Sequence, residues 1–145
     1  MSACNAMLLV CDEANMSLTS GKHNLIGIYT GEIGIPKEPQ ILNQIVFYFV
    51  IDCDLTKLPP VMIVEITIPG DTPKQLPIPM LPTPPMPIPP NRTRGVLQIP
   101  FAMRSLNVRA GRIEGRVIYG SEVVPVLGPM LTVSPPVTSE APTAP

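Results

Sequence analysis

The chain has 145 residues, a hydrophobic fraction of 45% and a formal net charge of −1, which is enough apolar material for one domain with a packed core. Its charged fraction of 14% is low against roughly 25% in ordinary domains, and a chain this close to neutral is not suited to general binding of nucleic acid. The longest fully apolar run, residues 45–51, is far shorter than the roughly 20 residues that a membrane-spanning helix needs.

The N-terminal region and the cysteines predict a reduced, cytoplasmic setting. No basic n-region precedes the first apolar stretch, so we expect no secretory signal. The three cysteines, Cys4, Cys11 and Cys53, are an odd number and a poor disulfide framework. Cys4 and Cys11 are seven residues apart, so on one strand their side chains point to opposite faces and cannot reach each other.

In the first part of the chain, short Ile- and Val-rich segments alternate with clusters of Gly, Pro, Asp and Asn, a pattern typical of strands joined by turns. The predicted strands are residues 3–11, 22–30 and 41–52, with a polar loop over residues 12–21 and turns over residues 34–39. Gly27, inside the second strand, predicts a bulge or a close backbone approach. The third strand is apolar on both faces, so we expect it to be central and covered on both sides.

The second part of the chain continues the strand pattern over residues 61–68, 96–103, 111–119, 123–127 and 130–133. The clearest alternation is in 111–119, where Ile113, Val117 and Tyr119 point inward and Arg112, Glu114 and Arg116 point outward, so that opposite charges can pair on the exposed face. Gly128 and Pro129 predict a bend between the last two strands. Seven or eight strands with frequent turns predict an all-β antiparallel β-sandwich with Greek-key-like connections.

Two motifs near the start resemble a family of bacterial proteins. They are LLVCD at residues 8–12 and GKHNLIGIY at residues 21–29. The family, an uncharacterised one, begins with an apolar strand ending in Cys-Asp, followed by a Gly-Lys and a Leu-Ile-Gly-Ile-Tyr/Phe strand. The resemblance covers residues 1–30, and the chain departs from it in a proline-rich insertion and in its tail. It implies a β-sandwich in a bacterial or phage setting and assigns no catalytic residue.

Two segments lie outside the strand pattern. Residues 134–145 are predicted to be a disordered tail beyond a β-sandwich domain of residues 1–133. Residues 69–91 form a proline-rich insertion, and residues 77–90, PIPMLPTPPMPIPP, predict extended polyproline II backbone that cannot be a central strand. The apolar residues among the prolines favour a strap that packs on the domain and blunts a sheet edge, and an exposed partner-binding arm is the alternative.

The insertion also supplies the candidate binding residues. Pro87, Pro90 and Arg92 fit P-x-x-P-x-R, in which two prolines occupy one ridge of a polyproline helix and the arginine enters an acidic pocket of an SH3-type partner. Together with Arg112 and Arg116 on the following strands, they form the predicted protein-binding set.

Candidate residues for catalysis and for metal binding are scattered. His23 has Ser20 and Asp12 nearby in sequence, but no local signature of a nucleophile and its base accompanies it. One histidine and three dispersed cysteines match no zinc spacing. Asp52 and Asp54 are better explained as turn residues than as cation ligands. We therefore expect no catalytic residue, metal site or cofactor, and we find no phosphate-binding glycine motif.

The basic residues are unevenly distributed along the chain. All four lysines and eight acidic residues precede residue 91, giving −4, whereas six arginines and three glutamates follow it, giving +3. Arginines converging on one face would permit nucleic-acid binding, but the aromatic residues lie in apolar strands. The sequence favours a non-enzymatic module that binds another protein or self-associates; nucleic-acid binding through the arginines and an enzyme with an unfamiliar site near His23 are the alternatives.

Overall fold

A computed structural model of the protein describes residues 4–17, 22–80 and 93–133. Within these ranges the chain forms nine strands and one short 3-10 turn at Leu55–Lys57. The strands are β1 Cys4–Met16, β2 His23–Tyr29, β3 Glu32–Ile35, β4 Gln40–Asp54, β5 Val61–Thr67, β6 Lys74–Pro79, β7 Arg94–Val108, β8 Gly111–Tyr119 and β9 Glu122–Val133. No helix in the described ranges is long and apolar enough to cross a membrane.

The strands form two packed sheets, as predicted for a β-sandwich. The four-stranded sheet has the order β2-β1-β4-β7, and the five-stranded sheet has the order β3-β9-β8-β5-β6. All pairs are antiparallel except β3 with β9. Hairpins join β1 to β2, β5 to β6 and β8 to β9, whereas the other connections cross between the sheets, as expected for a Greek-key-like sandwich and unlike a simple meander.

The core lies between the sheets and is centred on β4. Phe47, Phe49 and Ile51 point into it from β4 and have no exposed surface. Opposite them, Gly115 of β8 leaves room for packing, because a Cβ atom there would lie 2.8 Å from Val126 and 3.4 Å from the ring of Phe49. Alternation along β8 and β4 therefore places large side chains inward and positions the two sheets against each other.

The end of the β1–β2 hairpin leaves the four-stranded sheet. β1 pairs with β4 only as far as Cys11, but with β2 as far as Met16. Residues 12–17 and 22–27 thus form a two-stranded extension, which we call the β1–β2 arm. The expected polar loop over residues 12–21 is wrong for residues 12–16, which belong to β1 and pair with β2.

The β1–β2 arm folds across the outer face of the four-stranded sheet. The ring of His23 lies edge-on to that of Tyr48, with 5.3 Å between centroids. Val46 and Tyr48 point away from the main core yet are only 3% exposed. β4 is therefore central and covered on both sides in its middle, as predicted. Gly27 bends the arm with a φ of +71°, and the Asp12 carboxylate occupies the space a Cβ would take, which confirms the close approach expected there.

Three other segments differ from the sequence prediction. β3 replaces part of an expected turn, because Ile33 and Ile35 are buried there. β6 lies inside the insertion expected to contain no strand; it is an edge strand, so Pro77 and Pro79 need not donate to a neighbour. β9 is one strand in which the expected Gly128–Pro129 bend appears as a bulge opposite β8.

Candidate functional site

The predicted protein-binding residues separate into two groups. Pro87, Pro90 and Arg92 lie outside the described residues, as does the tail of residues 134–145. Arg112 and Arg116 lie on β8 and point to the exposed side of the five-stranded sheet, as the alternation predicted. Both arginines have structural partners there, described next.

Arg116 pairs with a buried glutamate on the neighbouring strand. Its Nη2 lies 2.7 Å and its Nε 2.9 Å from Oε1 of Glu65, whose side chain is only 7% exposed. Gln75 of β6 donates to the other oxygen, Oε2, at 2.7 Å. The hydrogen bond from Gln75, followed by the bond and charge of Arg116, lowers the pKa of Glu65 below its ordinary value. The ion pair joins β8 to β5. Arg116 therefore pairs with Glu65 of the neighbouring strand and not with Glu114 of its own strand, which was the expectation from the sequence.

Arg112 supports the bulge in β9. Its Nη1 donates to the carbonyl of Gly128 at 3.0 Å, which satisfies an acceptor that the interrupted ladder leaves without its regular partner. Arg94 and Arg104, in contrast, lie on β7 of the other sheet. Arg94 and Arg104 thus lie on a different sheet from Arg112 and Arg116, and Arg109 lies in the segment between β7 and β8, so these five arginines do not share one sheet face.

His23 belongs to the β1–β2 arm, and its ring lies on the side of the arm that faces the four-stranded sheet. Its Nδ1 is hydrogen-bonded to the Tyr48 hydroxyl at 2.6 Å and lies 3.2 Å from Oε1 of Gln98. The nearby carboxylate of Asp12 instead accepts from the Tyr29 hydroxyl at 2.6 Å, a bond that raises the pKa of Tyr29 to about 12. The histidine therefore joins the arm to the sheet, and its contacts in the described chain are with a phenol and an amide.

The two aspartates at the end of β4 have separate partners. Asp54 caps the 3-10 turn by accepting from the backbone N–H of Thr56 at 2.9 Å, which confirms its expected turn role. Asp52 pairs with Arg94 at 3.2 Å. Among the described residues, no cluster of three or more His, Cys, Asp and Glu side chains could hold a metal ion.

The most distinctive surface is the open side of the sandwich, where the edge strands β6 and β7 end the two sheets. On β7, three inward side chains in a row, Leu97, Ile99 and Phe101, are only partly buried, although they pack on the core. Farther along, Met103 and Leu106 are buried. Facing β7, the inward side chains of β6 are also partly buried; they are Leu76 and Ile78. The core is thus incompletely covered along this side.

On the same side, no strand among the described residues pairs with β7. β7 has 15 residues and pairs with β4 along its length. Pro100 lies inside this ladder and has no N–H, so its nitrogen faces the free edge. Gln98 and Ala102, two residues away on either side, direct their N–H and C=O groups the same way. These groups can hydrogen-bond an added strand.

A cleft of about 440 Å³ lies at the end of this open side. Phe101 and Leu106 of β7 supply apolar walls, and Asp71, Lys74 and Arg104 supply charged ones. Lys74 and Asp71 pair at 3.7 Å.

Sequence reasoning did not identify this edge. The signal that could have found it is the 94–108 segment itself, a long alternating strand broken by one proline, which fits an edge strand better than a central one. The chain matches no protein-family model, no curated protein and no solved structure at a significant level. The resemblance of residues 8–29 to a bacterial family therefore stays a prediction.

Proposed function

We propose that this protein is a non-enzymatic β-sandwich module that binds an extended segment of another protein along the free edge of β7. The observation that carries the proposal is the coincidence of two features on one strand. The side of β7 that pairs with no strand in the described part of the chain lies beside the partly exposed inward side chains of Leu97, Ile99 and Phe101.

These features define the ligand. Unpaired N–H and C=O groups in a row bind a strand, and main-chain hydrogen bonds supply its affinity. Because the partly exposed side chains recur at every second position, the segment needs apolar residues at every second position to cover Leu97, Ile99 and Phe101. Its other side chains face solvent and can be polar.

The proposal includes a bacterial cytoplasmic setting. Three free and buried cysteines among the described residues support a reducing compartment, and the resemblance of residues 8–29 supports a bacterial source. A second copy of the chain, pairing β7 with β7, is an alternative source of the added strand that the experiment below distinguishes.

Selection from a displayed library of random peptides tests the proposal. We expect enriched peptides to alternate apolar and polar residues and to shift the amide resonances of Gln98 and Ala102. Ala102→Pro removes one free-edge donor and should weaken binding about tenfold, whereas the matched variant Ala102→Ser keeps the N–H and should bind normally. Binders that leave the β7 amides unshifted would overturn the proposal. A concentration-dependent dimer that Ala102→Pro dissociates would assign the edge to self-association.

A further inference from the structure

Two buried thiols face each other across the four-stranded sheet. Cys4 of β1 is directly opposite Cys53 of β4 in the antiparallel register. Both side chains belong to the core between the sheets, and neither has exposed surface. Cys11 is also buried, but it lies on the other face of β1, outside that core, as its spacing from Cys4 predicted.

We propose that Cys4 and Cys53 form a cross-strand disulfide when a small-molecule disulfide such as oxidised glutathione is in excess. Directly opposite residues of antiparallel strands have Cα atoms about 4.5 or 5.5 Å apart, and disulfides span Cα distances of about 4.4–6.8 Å. Both side chains point to the same face, so the bond needs no rearrangement of β1 relative to β4.

The surroundings divide the two thiols into a nucleophile and a resolving group. The hydrogen bond between them lowers the pKa of Cys53 and raises that of Cys4. The nearby Arg94 guanidinium acts in the same direction on the pKa of Cys53, while burial adds to the rise in the pKa of Cys4. Cys53, the thiol with the lowered pKa, is therefore assigned as the nucleophile, and Cys4 keeps its proton until it resolves the mixed disulfide.

The reaction proceeds by two exchanges. The Cys53 thiolate attacks one sulfur of oxidised glutathione, the glutathione S–S bond breaks, and the leaving glutathione thiolate takes a proton. The Cys4 thiol then loses its proton and attacks the Cys53 sulfur of the mixed disulfide, releasing the second glutathione as its thiol. The protein loses two protons and two electrons, and one glutathione disulfide becomes two thiols.

Oxidised glutathione can reach the two buried thiols when the end of the β1–β4 ladder opens. Cys4 forms the last pair of that ladder, and strand ends open at much lower free energy than strand centres. Cys53 also pairs with Gly95 at the beginning of β7. The disulfide thus braces three adjacent strands at the end where the free edge of β7 starts.

The test uses the full chain, incubated with oxidised or reduced glutathione and then alkylated in denaturant. We expect oxidation to remove two of the three alkylatable thiols and peptide mapping to give a Cys4–Cys53 link. The thermal midpoint should rise by about 10 °C, because the bond closes a long loop, and a reductant should reverse the rise. Cys11→Ser is the matched control and should behave like the parent chain.

Three outcomes would overturn the inference. They are three thiols that stay alkylatable after oxidation, a link that involves Cys11, and a glutathione adduct on Cys53 that does not resolve. Cys4→Ser should abolish the oxidation-dependent shift in thermal midpoint. Because the parent chain and Cys11→Ser report the link by mass, the result does not depend on the folding of the Cys4 or Cys53 variants.

Discussion

The two sheets bury side chains on their outward faces by different means. On the four-stranded sheet, Val46 and Tyr48 are apolar or aromatic, and the chain's own β1–β2 arm covers them. On the five-stranded sheet, the outward carboxylate of Glu65 is buried between Gln75 and Arg116 of the neighbouring strands, and no segment within the described ranges forms a layer over it.

The difference shows that apolar and charged groups need different neighbours. An apolar side chain on an outward face is removed from water only when another segment lies on it. A carboxylate needs donors at hydrogen-bond distance, which adjacent strands supply without a further layer. In the first arrangement, the free energy of unfolding should fall when the volume of the covered side chain is reduced. In the second, it should fall when a hydrogen-bond partner of the carboxylate is removed, and it should depend on pH.

The largest effect should come from truncating the aromatic side chain beneath the arm. Tyr48→Ala removes a nearly buried ring and should lower the free energy of unfolding by about 3 kcal/mol, measured by urea denaturation. Tyr48→Phe removes only the hydroxyl bonded to His23 and should cost about 1 kcal/mol. Equal costs for the two variants would mean that the arm does not bury the ring.

Removing the partner of the buried carboxylate should have the next largest effect. Arg116→Ala leaves Glu65 with Gln75 alone and should cost about 2 kcal/mol in the same denaturation experiment. Arg112→Ala is a matched control on the same strand and face, where the arginine bonds only a carbonyl. We expect Arg112→Ala to lower the free energy of unfolding by less than about 1 kcal/mol. If Arg112→Ala costs as much as Arg116→Ala, then pairing with the buried carboxylate is not what makes Arg116 important.

Changing the bend of the β1–β2 arm should have a smaller effect. Gly27→Ala forces a side chain onto a backbone with a φ of +71° and against Asp12, so we expect a loss of about 1.5 kcal/mol in the free energy of unfolding. Gly31→Ala is the control, because its Cβ would have no atom within 4 Å, and it should leave stability nearly unchanged. If Gly27→Ala leaves the free energy of unfolding unchanged, the arm does not depend on this bend.

The smallest effect should be a pH dependence confined to the five-stranded sheet. The pKa of Glu65 is lowered in the folded protein, so the unfolded chain binds its proton first as the pH falls. The stabilisation is fully present above the ordinary carboxyl pKa of 4.5 and is lost as the pH falls through the lower folded pKa.

Glu65→Gln tests this pH dependence. It removes the titrating group and should flatten the decline of unfolding free energy below pH 4.5. Tyr48→Phe should keep the parent slope. An unchanged slope in Glu65→Gln would mean that other carboxyl groups account for the acid sensitivity.

The sequence predicted strands well wherever one face is buried and the other is not. In β8, the inward positions Ile113 and Val117 and the outward positions Arg112 and Arg116 were all assigned correctly. The same rule missed the strand at residues 12–16, because in the arm polar residues occupy both faces. It also missed β6, because its prolines exclude a central strand but not an edge strand.

The candidate site was harder to predict than the fold. The sequence marked Arg116 as exposed and charged, but Glu65, its partner, lies 51 residues away on another strand. The β7 edge is a property of strand order, since the same 15 residues would be fully covered in the middle of a sheet. Likewise, the Cys4–Cys53 pair depends on the register between two strands that are far apart in sequence.

The sequence by itself determined that this chain is built from strands with alternating faces, because that alternation is a local property of neighbouring residues. It also determined where prolines and glycines interrupt those strands. Only the tertiary structure decided that β6 and β7 end the two sheets on one side, that the β1–β2 arm covers Tyr48, and that Cys4 meets Cys53. The reason is physical: strand order and register depend on contacts between distant segments. A local signal such as the proline in β7 favours an edge strand but does not say which strands lie beside it.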